Sequence, residues 1–160
     1  MDRINRILNH DLFIEHMARN EAAEADRRFC RHNMGHFLDV ARIAMIFNLQ
    51  EGLGIEKEII YAAALLHDIG RHIQYEDGTP HEEASAAIAP DILKDCGFGE
   101  KETRVILSAI RTHRKKEIAG EASINGILYR ADKASRACFA CKAEADCDWK
   151  KEKKNLYLGW

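Results

Sequence analysis

Apolar residues recur at three- and four-residue spacing along most of the chain, with little of the Val/Ile/Thr alternation that marks strands. The pattern predicts an all-α protein. A first helical region runs from about Asp2 to Cys30, with an interruption near Asn9 to Asp11, where Asn9 or Asp11 could cap a new start. A second covers about His36 to Gln50 and is ended by "EGLG". A third, Ile55 to Ile69, stops at Gly70 and leads towards the turn-rich "YEDGTP". Pro90 should break or restart the helix that begins at His81, and "CGFG" closes that region. Two more helices are expected, from about Glu100 to Arg114 and Ser123 to Arg136. Residues 1–136 read as one domain, with a Cys- and Lys-rich tail, 137–160, packed on it.

Helical geometry sets several ionisable groups on faces that should be buried, because residues three, four or seven apart share a side. His36 lines up with Val40, Ile43 and Phe47. His67 follows Ile60, Ala63 and Ala64, and Asp68 follows Ala64 and Leu65. His113 continues Ile106 and Ile110, while Asp132 continues Leu128. An unpaired carboxylate in such a place costs several kcal/mol, so these groups need partners. One divalent ion can serve side chains from several helices, and imidazole with carboxylate suits Mn, Fe, Co, Ni or Zn. Hydrogen-bonded core histidines are the competing explanation.

Composition narrows the field. The chain has 160 residues, 46% of them hydrophobic, enough for one core. With 24 basic and 26 acidic side chains its formal net charge is −2, which lacks the basic footprint of general nucleic-acid binding. The longest apolar run, Ile59 to Leu66, falls well short of the roughly 20 residues that cross a bilayer, and "MDRINRILNH" has no signal-peptide core. A cytoplasmic protein without membrane or nucleic-acid partners is expected. Its five cysteines argue for reduced thiols or a metal site rather than a disulfide framework.

The order His36, His67-Asp68, Asp132 on successive helices resembles the signature of the HD-domain superfamily of metal-dependent phosphohydrolases. "HFLDVARIA", "AALLHDIGR" and "LYRADKASR" are similar to its three motif blocks. The resemblance implies a helical bundle with a metal site in its core. It extends to a subset with two further histidines, which His81 in "TPHEEASA" and His113 in "AIRTHR" match. That subset implies two ions: one on His36, His67, Asp68 and Asp132, the other on His81 and His113, with Asp68 bridging. Such a pair can activate a water and stabilise phosphoryl oxygens during in-line displacement. Arg71 stands where the family commonly carries a phosphate-contacting Lys or Arg. Lys133 and Arg136 are further candidates for substrate contact or, equally, ordinary surface charge. The nearest likeness within the subset is to hydrolases of dinucleoside polyphosphates. The expected activity is therefore hydrolysis of a phosphate ester or anhydride, in the first instance of a nucleotide, with Asp68, Arg71 and Lys133 at the reacting group. Two alternatives stay open: members with the same six-ligand order that are di-iron oxygenases, and a nucleotide-binding module without turnover.

Other residues carry weaker signals. His32 could replace His36 as first ligand by spacing, but Gly35 would be awkward in mid-helix and the family block follows His36. His72 could donate a proton or be a solvated loop residue, and His10 and His16 read as structural or exposed. Cys138, Cys141 and Cys147 form a C-x2-C-x5-C set that could bind zinc or an iron-sulfur cluster if Cys30 or Cys96 completed it; otherwise they pack as small apolar residues. Leu156, Tyr157, Leu158 and Trp160 could mark a contact between subunits of a homo-oligomer.

Overall fold

A computed structural model describes residues 1–160. The helical periodicity resolves into eight α-helices: α1 (Asp2–Leu8), α2 (Asp11–Ala23), α3 (Met34–Gln50), α4 (Lys57–Leu66), α5 (Arg71–Asp77), α6 (His81–Asp95), α7 (Glu100–Thr112) and α8 (Ile124–Ala134). There are no strands, and no helix is long and apolar enough to cross a membrane. The central member is α4. Its "KEIIYAAALL" buries Ile59, Ile60 and Ala62 to Leu66, so it has no polar face and must be enclosed. Helices α3, α7, α8, α6 and α1 surround it, and its alanines let their backbones approach closely. Phe37, Ile43, Ile92, Ile106 and Ile110 fill the space between them.

The helix starts follow from local chemistry. Asn33 caps α3 by accepting the His36 N–H at 3.1 Å, and Ser123 caps α8 by accepting from Gly126. At α2 the cap is His10, whose Nδ1 accepts the Leu12 N–H, rather than Asn9 or Asp11. The first helical region ends at Ala23 instead of Cys30, because Glu24 turns inward to His32 and Tyr75. After Gly70 the chain re-enters a helix, so Tyr75 to Asp77 are helical and the loop is only Gly78 to Pro80. Gly78, at φ 84°, supplies the left-handed residue that ends α5. That helix also corrects the reading of His72 as a loop residue: it is fully buried, its Nε2 2.8 Å from His16 Nδ1 and its Nδ1 2.9 Å from Glu76. Pro90 does not break α6. The helix buries Ala84 to Ala86, Ala89, Ile92 and Leu93, and this packing outweighs the roughly 3 kcal/mol that an interior proline costs.

Past α8 the tail forms only three single turns of 3-10 helix, Cys138–Ala140, Glu144–Asp146 and Lys151–Lys153. Asn155 fastens it: its side-chain amide donates to the carbonyls of Lys133, Ala134 and Arg136 at 2.7, 3.2 and 3.0 Å, satisfying the end of α8. Tyr157, Leu158 and Trp160 are exposed beyond it, whereas Leu156 is partly buried.

The start of α8 tolerates no added atom. A Cβ on Gly126 would lie 2.1 Å from the Glu121 carbonyl oxygen. Gly126→Ala should therefore destabilise the fold by about 1–3 kcal/mol, as overpacking does, measurable as a lower urea midpoint with an unchanged m-value.

Candidate metal centre

Six side chains from five helix ends or turns converge on one buried point. His36 comes from the first turn of α3; His67 and Asp68 leave α4 in the turn ended by Gly70; His81 opens α6 behind Pro80; His113 closes α7; Asp132 sits in the last turns of α8. A Cβ on Gly70 would collide with the Ser85 nitrogen at 2.6 Å, so only glycine lets α6 approach the turn that carries His67 and Asp68. His67, Asp68, His81 and His113 are at most 4% exposed.

Asp68 lies at the centre. Its Oδ2 is 3.8 Å from His36 Nε2 and 3.4 Å from His67 Nε2; Asp132 Oδ1 faces the same two nitrogens at 3.6 and 3.8 Å. Its Oδ1 is 3.0 Å from His81 Nε2 and 3.5 Å from His113 Nε2. The donors thus divide into two sets, His36, His67, Asp68, Asp132 and Asp68, His81, His113, each with its ligand atoms within 4.8 Å of one another. Donors about 2.1 Å from a common ion are separated by about 3–3.5 Å in tetrahedral or octahedral geometry, close to these distances.

The donor set fits a metal on a second ground. His36 Nε2, His67 Nε2 and Asp68 Oδ1 are buried without a hydrogen-bond partner, a cost that a protein seldom leaves unmet. The outer nitrogens explain why. His67 Nδ1 lies 2.7 Å from the Ala64 carbonyl and His113 Nδ1 2.6 Å from the Ile110 carbonyl; a carbonyl only accepts, so both protons sit on Nδ1 and both Nε2 lone pairs point inward. Ser135 Oγ donates to the Asp132 carbonyl at 2.8 Å and so accepts from His36 Nδ1 at 3.2 Å, which turns that ring the same way. At His81 the outer nitrogen meets Gln74 Oε1 at 2.5 Å and Arg71 Nη1 at 2.6 Å.

Electrostatics match. Burial opposes ionisation of Asp68, but His67, His113 and His81 hold it well below the usual carboxylate range. Asp132 is likewise lowered against its burial, by His67 and Lys133. His36 falls to about 4 through burial and the neighbouring His67. For His67 burial is overcome by Asp68 and Asp132, which push it up to about 10. Cations other than a proton would be held there by the same two carboxylates.

The cluster opens into a cavity of about 220 Å³ whose wall includes Arg27, Arg31, Arg71, Arg114, Lys133 and Arg136. Arg71 is braced against His81 and, through Nε, Tyr75. Lys133 pairs with the outer oxygen of Asp132, leaving Oδ1 to the metal set. Arg136 lies over the Trp149 ring, 4.3 Å from its centroid. His36, not His32, joins the donor set. His32 is nonetheless at the site: its Nε2 is 3.7 Å from Asp68 Oδ2, and Glu24 grips its Nδ1 and backbone N–H, both at 2.6 Å. The spacing of His32, one turn before His36, makes it a candidate ligand, but it precedes α3 in irregular chain, so that spacing does not set it on the helix face of His36, and Glu24, eight positions earlier, positions it instead.

A helical bundle with a buried His/Asp metal centre is the class of protein that these features define. A model of the family described as HD domain matches residues 33–144, and the chain belongs to that family. It is 50% identical over 158 residues, 99% of both chains, to a Clostridium beijerinckii protein described as uncharacterized. Two proteins described as ribonuclease Y are more distant. That of Enterococcus faecalis is 27% identical over 123 residues, 77% of this chain and 22% of its own, and that of Aquifex aeolicus 33% over 82 residues, 51% and 13%. The chain therefore spans less than a quarter of either ribonuclease. Among solved structures, a predicted HD superfamily hydrolase from an uncultured Thermotogales bacterium shares the fold, with a TM-score of 0.63, 24% identity, and coverage of 89% of this chain and 81% of that one.

Removing one donor set should leave the other. The double variant His81→Ala, His113→Ala should lose about one of two bound ions by elemental analysis while keeping its helical circular dichroism; undiminished metal would return both histidines to structural roles. Glu24 gives a pH test. Burial raises its pKa, but His32 and the Tyr75 hydroxyl outweigh that and bring it to about 2. A depressed carboxylate stabilises the fold above its unfolded pKa and loses this contribution as pH falls towards 2. Between pH 5 and 3 the native chain should lose about 1–2 kcal/mol more than Glu24→Gln, a range discounted for partial solvent screening.

Proposed function

We propose that the chain is a metal-dependent phosphohydrolase that cleaves a phosphate ester or anhydride of a nucleotide. One observation carries this reading: two His/Asp donor sets that share Asp68 open onto a small cavity with a basic wall. Divalent ions on His36, His67, Asp68 and Asp132, and on Asp68, His81 and His113, would supply an activated water and positive charge opposite the phosphoryl oxygens.

The remaining work falls to the chain. Lys133 keeps Asp132 aligned by occupying its outer oxygen. Arg71, pre-positioned by His81 and Tyr75, offers its other N–H groups to a phosphoryl oxygen. Arg114 and Arg136 stand along the cavity for a further phosphate, and Trp149 gives an aromatic surface beside them for a base. His32 is placed to protonate the leaving oxygen as the P–O bond breaks, with Glu24 setting its orientation much as a carboxylate orients a general acid. The likeness to proteins described as ribonuclease Y makes an RNA phosphodiester the second substrate to consider, within the same reaction class. A cavity of this size and a net charge of −2 favour a single nucleotide or dinucleotide over a polymer.

The test is product analysis on dinucleoside polyphosphates, nucleoside mono-, di- and triphosphates and a short RNA, with Mn, Fe, Co, Ni or Zn supplied and oxygen uptake followed in parallel. Cleavage of a P–O bond, reduced about 10²–10³-fold in Asp68→Asn and less in His32→Ala, is the expected result. Oxygen consumption without P–O cleavage would overturn it in favour of a di-iron oxygenase, and tight nucleotide binding without turnover in favour of a binding module.

A further inference from the structure

Beside the His/Asp centre, around a cavity that shares His36, Arg31 and Arg136 with it, lies a second set of side chains of metal-ligand type, thiols to which the proposed hydrolysis gives no role. Cys138, Cys141 and Cys147 of the tail and Cys30, from the irregular segment between α2 and α3, all line one cavity of about 350 Å³. Cys30 is far in sequence from the three tail cysteines, and all four are free thiols. The remaining cysteine, Cys96, is buried in the helical core and takes no part. The open choice of a fourth thiol thus falls on Cys30. Cys30 is exposed; partial desolvation and the neighbouring Cys138 raise its thiol, against the opposing Arg136.

We propose that Cys30, Cys138, Cys141 and Cys147 ligate an iron-sulfur cluster that clasps the tail onto the segment preceding α3. Four independent features converge on it. Cys138 and Cys141 flank a tight turn in which the Cys141 N–H donates to the Cys138 carbonyl at 3.2 Å, and Cys147 closes a similar turn on Glu144. Arg28, Arg31, Arg136 and Lys154 border the cavity, against the acidic Asp39 and Glu144, so its surroundings favour an anionic four-thiolate centre. Apolar packing adds little to the polar contacts of Asn155 and Lys154 that hold the tail: of residues 137–160 only Ala143 is buried, and burial on that scale does not offset the roughly 1–2 kcal/mol per residue that ordering costs, so a cluster would supply much of the tail's fastening. Finally, the sulfurs ring the cavity and are not among the donor sets that converge within 4.8 Å. A single zinc holds four thiolates at about 2.3 Å and hence about 3.8 Å apart, whereas a cluster of several irons takes its four cysteines around a larger body.

The full chain, purified without oxygen, should contain acid-labile sulfide and iron above what the His/Asp centre binds, and show a broad absorption near 400 nm that dithionite bleaches. Cys30→Ser and Cys141→Ser should abolish the sulfide and the absorption. Cys96→Ser should keep both, as should His67→Ala with Asp68→Ala, whose loss of metal is confined to the other centre. Because a serine variant could fail to fold, alkylation of the wild-type chain gives a second reading: in the holoprotein Cys30, Cys138, Cys141 and Cys147 should resist iodoacetamide, then react after the iron is chelated. Absence of labile sulfide, a single zinc on the four cysteines, iron that vanishes with His67 and Asp68, or a Cys30 that alkylates freely in the holoprotein would each overturn the assignment.

Discussion

A carboxylate with almost no access to water organises this molecule. Asp68 carries a charge in the middle of a helical core, and its two oxygens can be compensated only by groups brought from every side: His36 and His67 on one, His81 and His113 on the other. Removing one partner from such an arrangement leaves charge exposed to low dielectric, a far larger penalty than the loss of a surface ion pair. The architecture follows from that requirement. Helix α4 is apolar on all faces because it must deliver the His67-Asp68 turn to the interior, and α3, α6, α7 and α8 each end or begin where a donor is required.

Geometry at one remove from the donors is as important as the donors themselves. Backbone carbonyls at Ala64 and Ile110 sit three residues before His67 and His113, so the helices' own last turns fix the tautomer of each ring. This is an economical device: the same hydrogen bond satisfies a helix-end carbonyl and aims a lone pair. His36 depends instead on Ser135, one helix away, whose hydroxyl is committed to the Asp132 carbonyl. The orientation of α3's histidine and of α8's aspartate is thereby coupled through a single oxygen.

Much of this was legible in the sequence. The all-α class, the enclosure of Ile59 to Leu66 and the need of His36, His67, Asp68, His113 and Asp132 for partners follow from polar groups placed on apolar stripes, whereas His81 entered only through the likeness of the motif order to the HD-domain superfamily; the structure brings all six together. What escaped reading lies where periodicity carries no information. His32 is positioned by irregular chain and by Glu24, and His72 looked like a loop residue because Gly70 resembles a stop rather than a corner between two helices. Pro90 misled for the opposite reason: a strong local rule was overridden by burial on α6. Arg71 was expected as a phosphate contact from the resemblance, and the structure adds that it leans on His81, a relation that no spacing encodes.

The clamp by Asn155 on the last carbonyls of α8 bears on how the molecule is made. Five of the six converging side chains belong to the first 113 residues, but Asp132 arrives late and its helix is tied off only when residue 155 is in place. On a ribosome, where chains are extended from the N-terminus, the early helices would emerge with their histidines in position and one corner of the centre open. Completion is then a final event of synthesis, and an incomplete chain is spared a fully formed reactive centre until nearly all of its length has been built.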